Sequence, residues 1–93
     1  MEFQAHLPVQ IFKQGKQYVA YTPVLDLSTC GKTRAQAKRM FAEAVQIFFE
    51  ELDEMGTLKE VLKDLGWVKS KARDWQPPQV LKQSFRIKLP VGV

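Results

Sequence analysis

Four basic side chains crowd the start of the longest helix that the sequence predicts. They are Lys32, Arg34, Lys38 and Arg39. The first turn of a helix leaves backbone N–H groups free to bind an anion, and neighbouring cations strengthen that attraction. The sequence therefore predicts a site here for phosphate or for an acidic partner surface. The alternative interpretation is a solvated charged surface without a ligand.

A second basic surface is predicted near the end of the chain. Its members alternate with apolar residues, as on one face of a strand: Lys82, Arg86 and Lys88. Such a face can follow a nucleic-acid backbone while Tyr18 or Tyr21 stacks on the bases. The charge is uneven, because residues 1–55 carry six Lys and Arg against seven Asp and Glu, whereas residues 56–93 carry eight against three. A basic second half is consistent with an anionic partner.

Nucleophilic catalysis is not favoured by the sequence. His6 is the one histidine, and it is predicted to lie on the polar side of a strand without an identifiable orienting partner. Cys30 is the one cysteine, so it forms no internal disulfide and cannot assemble a zinc site. We expect Cys30 to be a small buried filler beside the helix start.

Carboxylates cluster at the other end of the same predicted helix. They are Glu50, Glu51, Asp53 and Glu54. Glu50 and Glu54 share a face at four-residue spacing, but a metal site would need further ligands from elsewhere in the chain. A solvated acidic face is the favoured interpretation. The sequence therefore predicts a protein that is not an enzyme and that uses no metal or cofactor.

Two capped helices follow each other in the middle of the chain. Apolar residues recur at three- and four-residue steps, as on one side of a helix: Ala37, Phe41, Ala44, Phe48, Leu52 and Met55 in the first, and Leu58, Val61, Leu62 and Leu65 in the second. Each helix has a capping box and a terminal glycine: Thr33 with Gln36 and Gly56, then Thr57 with Glu60 and Gly66.

Strands before the helices are predicted from period-two alternation. Residues 3–11 alternate apolar and polar, and Pro8 places this strand at a sheet edge or a bulge, because proline lacks an amide donor. Residues 13–16 predict a turn, and residues 18–22 predict the returning strand of a hairpin. Residues 24–30 predict a bend and a short third strand.

The part of the chain after the helices is less regular. Residues 68–79 contain basic residues and two prolines without a period, which predicts a connector. Residues 83–89 alternate again and predict a possible final strand. Residues 1–93 then form a single α+β domain, with a three- to four-stranded, mainly antiparallel sheet and one long and one short helix on one face, in the order β-β-β-α-α-β.

Location and assembly follow from the same patterns. No apolar run approaches the ~18 residues of a membrane span, and the first residues lack the features of a signal peptide. We therefore expect a cytoplasmic protein without a membrane partner. An edge strand predicts a homo-oligomer, a dimer or larger. Trp67 and Trp75 are candidate interface anchors, since tryptophan is enriched at interface hot spots. The alternative interpretation is that Trp67 packs back on the last turn of the second helix.

Several short motifs occur together over about residues 17–67. An aromatic-rich strand leads into a Pro-x-Leu turn at 18–27, and a Gly-Lys-Thr helix start follows at 31–33. The helix then contains Ala37 and Glu43-Ala44-Val45, and Gly66-Trp67 ends the second helix. This combination resembles the HicB-type antitoxin family.

The resemblance implies a partial ribonuclease-H-like domain that oligomerises and neutralises a small HicA-like mRNA-cleaving toxin. Asp26 alone lies among the predicted strands, whereas an active ribonuclease H needs several carboxylates around two metals. Family antitoxins usually also carry a C-terminal DNA-binding part, which we do not expect here. HicA-type toxins are basic, so the acidic cluster is the implied local docking patch. The alternative function is a small nucleic-acid-binding module that uses a basic surface.

Overall fold

Three strands, two helices and a small second hairpin make up the fold. The structure is a computed structural model that describes residues 5–70, 74–90 and 92. Its elements in chain order are β1 (Gln10–Gln14), β2 (Gln17–Thr22), β3 (Leu27–Gly31), α1 (Arg34–Met55), α2 (Leu58–Asp64), β4 (Val68–Lys69) and β5 (Trp75–Gln76). The α+β class, with three antiparallel strands before two helices, is confirmed. Neither α1 nor α2 is both long enough and apolar enough to cross a membrane.

The sheet places β2 between β1 and β3, and all pairs are antiparallel. A two-residue turn, Gly15-Lys16, joins β1 to β2. Gly15 has a φ of 63°, a conformation that glycine adopts without a Cβ clash and that tight hairpin turns require. Ile11, Ala20 and Thr29 lie opposite one another and form one row across the three strands.

α1 lies across one face of this sheet. Ala20 on β2 packs with Ala37 and Phe41 on α1, and all three are buried. The Thr29 hydroxyl donates to the Ala37 carbonyl oxygen at 3.2 Å. A Cβ at Gly31 would lie 2.7 Å from the Ala37 backbone nitrogen, closer than real Cβ atoms approach. Small residues therefore set how closely the helix start approaches the sheet.

Both predicted ends of α1 are confirmed. At the start, the Gln36 N–H donates to Thr33 Oγ1 at 3.0 Å. Gln36 Oε1 accepts from the Lys32 N–H at 2.6 Å, one residue earlier than in a reciprocal capping box. At the end, Gly56 has a φ of 71°, and the N–H of Thr57 donates to the Leu52 carbonyl, so the last turn is closed.

α2 ends as predicted but begins differently. Gly66 has a φ of 90°, and the Trp67 N–H donates to the Leu62 carbonyl at 2.9 Å. The predicted capping box of Thr57 and Glu60 is wrong. Thr57 makes no side-chain cap bond, and its Oγ1 is buried without a hydrogen-bond partner among the described residues. Its ψ of 3° departs from the extended conformation that aims an N-cap hydroxyl at the helix N–H groups.

The main core lies between the two helices and the turn after β2. Its buried members are Val24, Leu25, Leu62, Trp67 and Trp75. The Trp67 Nε1–H donates to the Val24 carbonyl at 2.8 Å in a buried hydrogen bond. The predicted role of Trp67 and Trp75 as interface anchors is wrong, because the two side chains are only 3% and 6% exposed and pack inside the chain's own core.

The first strand is shorter than predicted. Residues 5–9 form no strand, and β1 begins at Gln10. The beginning of the predicted strand, residues 3–4, lies outside the described residues. Gln10 pairs with Tyr21, one residue before β2 ends at Thr22, so β2 does not reach far enough to pair with residues 5–8.

The chain after α2 contains a small hairpin where a connector was predicted. β4 and β5 pair with each other inside residues 68–79. The possible final strand over residues 83–89 is not formed, and these residues are exposed. Alternation gives a segment one apolar side, but a strand also needs a hydrogen-bonding neighbour, and no strand in the described ranges pairs with this one.

Replacing Gly31 with alanine should destabilise the fold, because the added Cβ would press on a backbone atom of α1. We expect the free energy of unfolding to fall by about 1–3 kcal/mol, as for other overpacked contacts. Urea denaturation measures it. Gly92→Ala is the matched control, since nothing lies within 4 Å of a Cβ there. Equal stability of the two variants would contradict the close approach at Gly31.

Candidate functional site

A row of residues at one end of the sheet lies beside the start of α1. Lys13 on β1 pairs with Tyr18 on β2, and Tyr18 pairs with Gly31 on β3. Tyr18 is two positions from Ala20, which packs against α1, so both side chains are on the helix side of the sheet. α1 begins at Arg34, shortly after Gly31. The fold therefore brings Lys13 of β1, Tyr18 of β2 and Arg34 of α1 close together.

Tyr18 holds two cations near its ring. The Lys13 Nζ lies 5.9 Å from the ring centroid, and the Arg34 Cζ lies 5.8 Å from it. Both distances are within the ~6 Å range of cation–π attraction. The ring is partly buried, whereas Lys13 and Arg34 are exposed. The Tyr18 ring thus attracts two cations from different elements, and both remain exposed.

These side chains line an open groove of about 410 Å³. The lining residues are Ile11, Phe12, Lys13, Tyr18, Arg34 and Lys38. Lys38 lies four residues after Arg34, which places both on the same side of α1. No carboxylate is among the lining residues. The groove therefore combines three cations with the ring of Tyr18 and suits a ligand with negative charge.

The predicted basic corner is brought together only in part. Arg34 and Lys38 line the groove. Lys32 and Arg39 are exposed but are not among the lining residues. The backbone N–H of Lys32 is already used, because it donates to Gln36 Oε1. The site is thus formed by side chains of the sheet and the helix together, rather than by the helix start alone.

Lys13 is the functional candidate that the sequence analysis missed. Residues 13–16 were predicted to be a turn, which removed Lys13 from the sheet. The signal that could have found it is the Gly15-Lys16 pair, since a two-residue hairpin turn fixes the register of the strands on either side. That register puts Lys13 directly opposite Tyr18.

His6 and Cys30 are both exposed. The expectation that Cys30 is a buried filler is wrong. Successive strand residues point to opposite faces, and Thr29 faces α1 through its hydrogen bond to Ala37. Cys30 therefore points to the other face, where it lies opposite Val19. Among the described residues, no group of three or more His, Cys, Asp or Glu side chains is placed to hold a metal ion.

The remaining charged candidates are exposed. Lys82, Arg86 and Lys88 belong to no strand, so the predicted basic strand face is not formed. The acidic cluster lies in the last turns of α1, and all four members are exposed: Glu50, Glu51, Asp53 and Glu54. The acidic cluster and the groove therefore occupy opposite ends of one helix.

Asp26 lies in an unusual turn next to Tyr21. Its φ of 49° is in the left-handed region, which is uncommon for residues other than glycine. The Tyr21 hydroxyl donates to Asp26 Oδ1 at 3.2 Å. Desolvation, followed by this hydrogen bond and the charge of Asp26, raises the pKa of Tyr21 above its ordinary value of 10.0. The pair supports the turn between β2 and β3.

Asp26→Asn should lower the pKa of Tyr21 towards its ordinary value, because the substitution removes a negative charge that opposes the tyrosinate. The absorbance of tyrosinate measures this in a Tyr18→Phe background, where Tyr21 is the remaining tyrosine. The pKa of Tyr21 is higher in the folded state than in the unfolded chain. The pair therefore stabilises the fold at pH values below the ordinary pKa of tyrosine, and this contribution is lost as the pH rises through the raised pKa of the folded state. An unchanged titration would contradict the interaction.

No protein-family model matches the chain, and no curated protein or solved structure matches it either.

Proposed function

We propose that this chain is a non-enzymatic, HicB-like antitoxin-type protein that binds a small basic HicA-like toxin and neutralises its mRNA cleavage. Two features support the proposal. The residues that resemble the family lie on consecutive elements, β2 through α2, in an α+β fold. The outer surface of α1 also carries an acidic and apolar face that suits a basic protein, and this face is the observation on which the proposal mainly depends.

The acidic helix face consists of Glu43, Ile47, Glu50 and Glu54. Steps of three and four residues place them on one side of α1, and all are exposed. Ile47 is 52% exposed. Met40 extends the same face by one turn and is also exposed. The opposite side of α1 packs against the sheet and the core through Ala37, Phe41, Val45 and Phe48.

A large apolar side chain among three carboxylates has the composition of a protein-binding surface. Burying Ile47 against a partner removes apolar area from water, which is favourable by roughly 25 cal/mol per Å². The surrounding carboxylates select for a basic partner and speed its approach. An antitoxin that covers a toxin's active surface needs only this binding and no catalytic group. We propose that it acts in the cytoplasm, where the toxin would meet mRNA.

We also propose that copies of the chain associate with each other through strand addition. β1 is an edge strand of the sheet in the described ranges. The last segment carries exposed large apolar side chains without a strand partner: Val80, Leu81, Phe85, Ile87 and Leu89. An edge strand and an alternating segment supply each other's missing backbone hydrogen bonds when one copy docks on a second copy.

The charge-reversed variant Glu43→Lys/Glu50→Lys/Glu54→Lys should lose toxin binding. We expect a loss of about 2–5 kcal/mol in binding free energy, as when charged pairs at an interface are broken. The measurement is calorimetric titration with an inactivated form of the HicA-like toxin encoded beside this chain's gene. Growth of cells that co-express the active toxin provides the functional readout.

The matched control reverses three exposed charges elsewhere, in Glu60→Lys/Asp64→Lys/Asp74→Lys. It changes the net charge by the same amount and should retain binding. Equal loss in the control would show that overall charge, not the acidic helix face, governs the interaction. Absence of a HicA-like reading frame beside the gene, or full toxin activity in the presence of excess chain, would overturn the proposal.

The variant Phe85→Ser/Ile87→Ser/Leu89→Ser should be monomeric. Removing the apolar side of the segment removes the area that a second copy would bury, and light scattering should then report the single-chain mass of 10.7 kDa in place of a multiple of it. The control Lys82→Ser/Arg86→Ser/Lys88→Ser changes the other side of the segment and should keep the larger mass. A wild-type chain that already scatters as 10.7 kDa would contradict strand addition.

A further inference from the structure

We propose that the groove between β1, β2 and α1 binds the linked phosphate groups of a small molecule, a diphosphate or a triphosphate. Lys13, Arg34 and Lys38 would bind the phosphate oxygens, and the ring of Tyr18 would hold two of these cations in place. This proposal concerns the opposite end of α1 from the acidic helix face and does not depend on toxin binding.

Three cations meet in this groove without a counter-charge. Lys13 comes from β1, whereas Arg34 and Lys38 come from α1, and no carboxylate lies among the lining residues. Within the described part of the chain, none of the three forms an ion pair with a carboxylate. Arg34 and Lys38 are also a like-charge pair at four-residue spacing, which destabilises a helix. An anion in the groove would relieve this repulsion.

The cations converge on one small region instead of following a line. The Lys13 Nζ and the Arg34 Cζ lie 5.9 Å and 5.8 Å from the Tyr18 ring centroid. Their separation is therefore no more than twice the ~6 Å reach of a cation–π contact. Lys38 lies one helical turn from Arg34. The groove thus surrounds about 410 Å³ with three positive charges, a volume within the ~300–1,000 Å³ range of small-ligand sites.

This compact arrangement favours linked phosphates over other anions. A single phosphate carries about −1.5 to −2 charge, so two linked phosphates bring roughly three negative charges to one place. An acidic peptide spreads that charge over several flexible side chains, whose conformational freedom is lost when they converge. A nucleic-acid strand carries one charge per nucleotide, and the basic residues that were predicted to follow it form no strand face: Lys82, Arg86 and Lys88.

The uncharged lining of the groove increases the attraction for phosphate. Ile11 and Tyr18 are partly buried and pack against the buried core between β2 and α1, so this wall of the groove is apolar. A cleft with charges of one sign and walls of low dielectric constant focuses the electric field on a ligand. Tyr18 also attracts Lys13 and Arg34 from two different elements, which gives its ring a positioning role.

The test uses the full chain and calorimetric titration at low salt without divalent cations. The probes are orthophosphate, pyrophosphate, tripolyphosphate and ADP. We expect pyrophosphate and tripolyphosphate to bind about 10-fold or more tightly than orthophosphate, the gain from an additional charge-assisted contact. The comparison of ADP with pyrophosphate identifies the source of the phosphates. Tighter binding of ADP assigns the site to a nucleotide, whereas equal or weaker binding assigns it to the phosphate groups alone.

The variant Lys13→Gln/Arg34→Gln/Lys38→Gln should weaken pyrophosphate binding by about 10-fold or more, because it removes the charged donors of the groove. The control Lys59→Gln/Lys63→Gln/Lys69→Gln removes three exposed lysines from α2 and β4. It changes the net charge by the same amount and should bind pyrophosphate as the unaltered chain does. Thermal unfolding of each variant checks that the fold is retained.

Tyr18→Leu tests the positioning role, because leucine is apolar but does not attract cations. It should weaken pyrophosphate binding by roughly 5-fold, the loss expected for two exposed cation–π contacts. Tyr18→Phe keeps the ring and should bind as the unaltered chain does. A purely structural role would lower the melting temperature of Tyr18→Leu without this loss of affinity, and that result would contradict the positioning role.

Equal weakening in the lysine control would overturn the proposal, since binding would then depend on net charge alone. Orthophosphate or sulfate that bound as tightly as pyrophosphate would also overturn it, because the groove would then not recognise linked phosphates. So would a hexaglutamate peptide or a short oligothymidylate that bound more tightly than tripolyphosphate, since an extended macromolecule would then be the preferred ligand.

Discussion

The hydrogen bond from the Trp67 indole to the Val24 carbonyl is the interaction on which the rest of the fold depends. It is buried and joins residues 43 positions apart. Val24 belongs to the turn after β2, and Trp67 follows α2, so the bond fixes the helical pair against the sheet. A buried carbonyl without a donor costs about 1–3 kcal/mol. The indole of Trp67 therefore fills the core and also donates a hydrogen bond to the Val24 carbonyl. A phenylalanine at this position would fill the core but leave that carbonyl without a donor.

Once the helical pair is fixed, the two ends of α1 present different surfaces. The helix rises 1.5 Å per residue, so Arg34 and Glu50 are about 24 Å apart along the axis. The screening length at physiological salt is about 8 Å. Arg34 in the groove and the distal carboxylates Glu50 and Glu54 therefore have little influence on each other, whereas Lys38 and Glu43 lie only about 7.5 Å apart along the axis. A chain with a net charge of +4 can for this reason offer a negative surface to a basic partner.

The sequence was most informative where structure depends on near neighbours. The Thr33 cap, the left-handed Gly56 and the apolar stripe of α1 from Ala37 to Leu52 all involve residues within one or two helical turns, and all are confirmed. Met55, the last member of the predicted stripe, is 69% exposed. The failures needed knowledge of distant partners. Residues 83–89 have a strand's alternation but no neighbouring strand, and the burial of Trp67 depends on Val24, far away in the sequence. In the groove, the helix cations were predicted, but Lys13 required the hairpin register.

The charges of α1 are arranged against the usual preference of a helix. Its first turn has no acid and its last turn has no base, and each exposed charge at the wrong end costs about 0.3–1 kcal/mol. Departures of this kind from local preference are expected where function requires them. At each end of α1 the charged side chains have the same sign as the partial charge of the helix dipole. The dipole therefore increases the positive potential at the start of the helix and the negative potential at its end. An anion at the start and a cationic surface near the end would each relieve the repulsion, which is why we assign opposite ligands to the two ends of one helix.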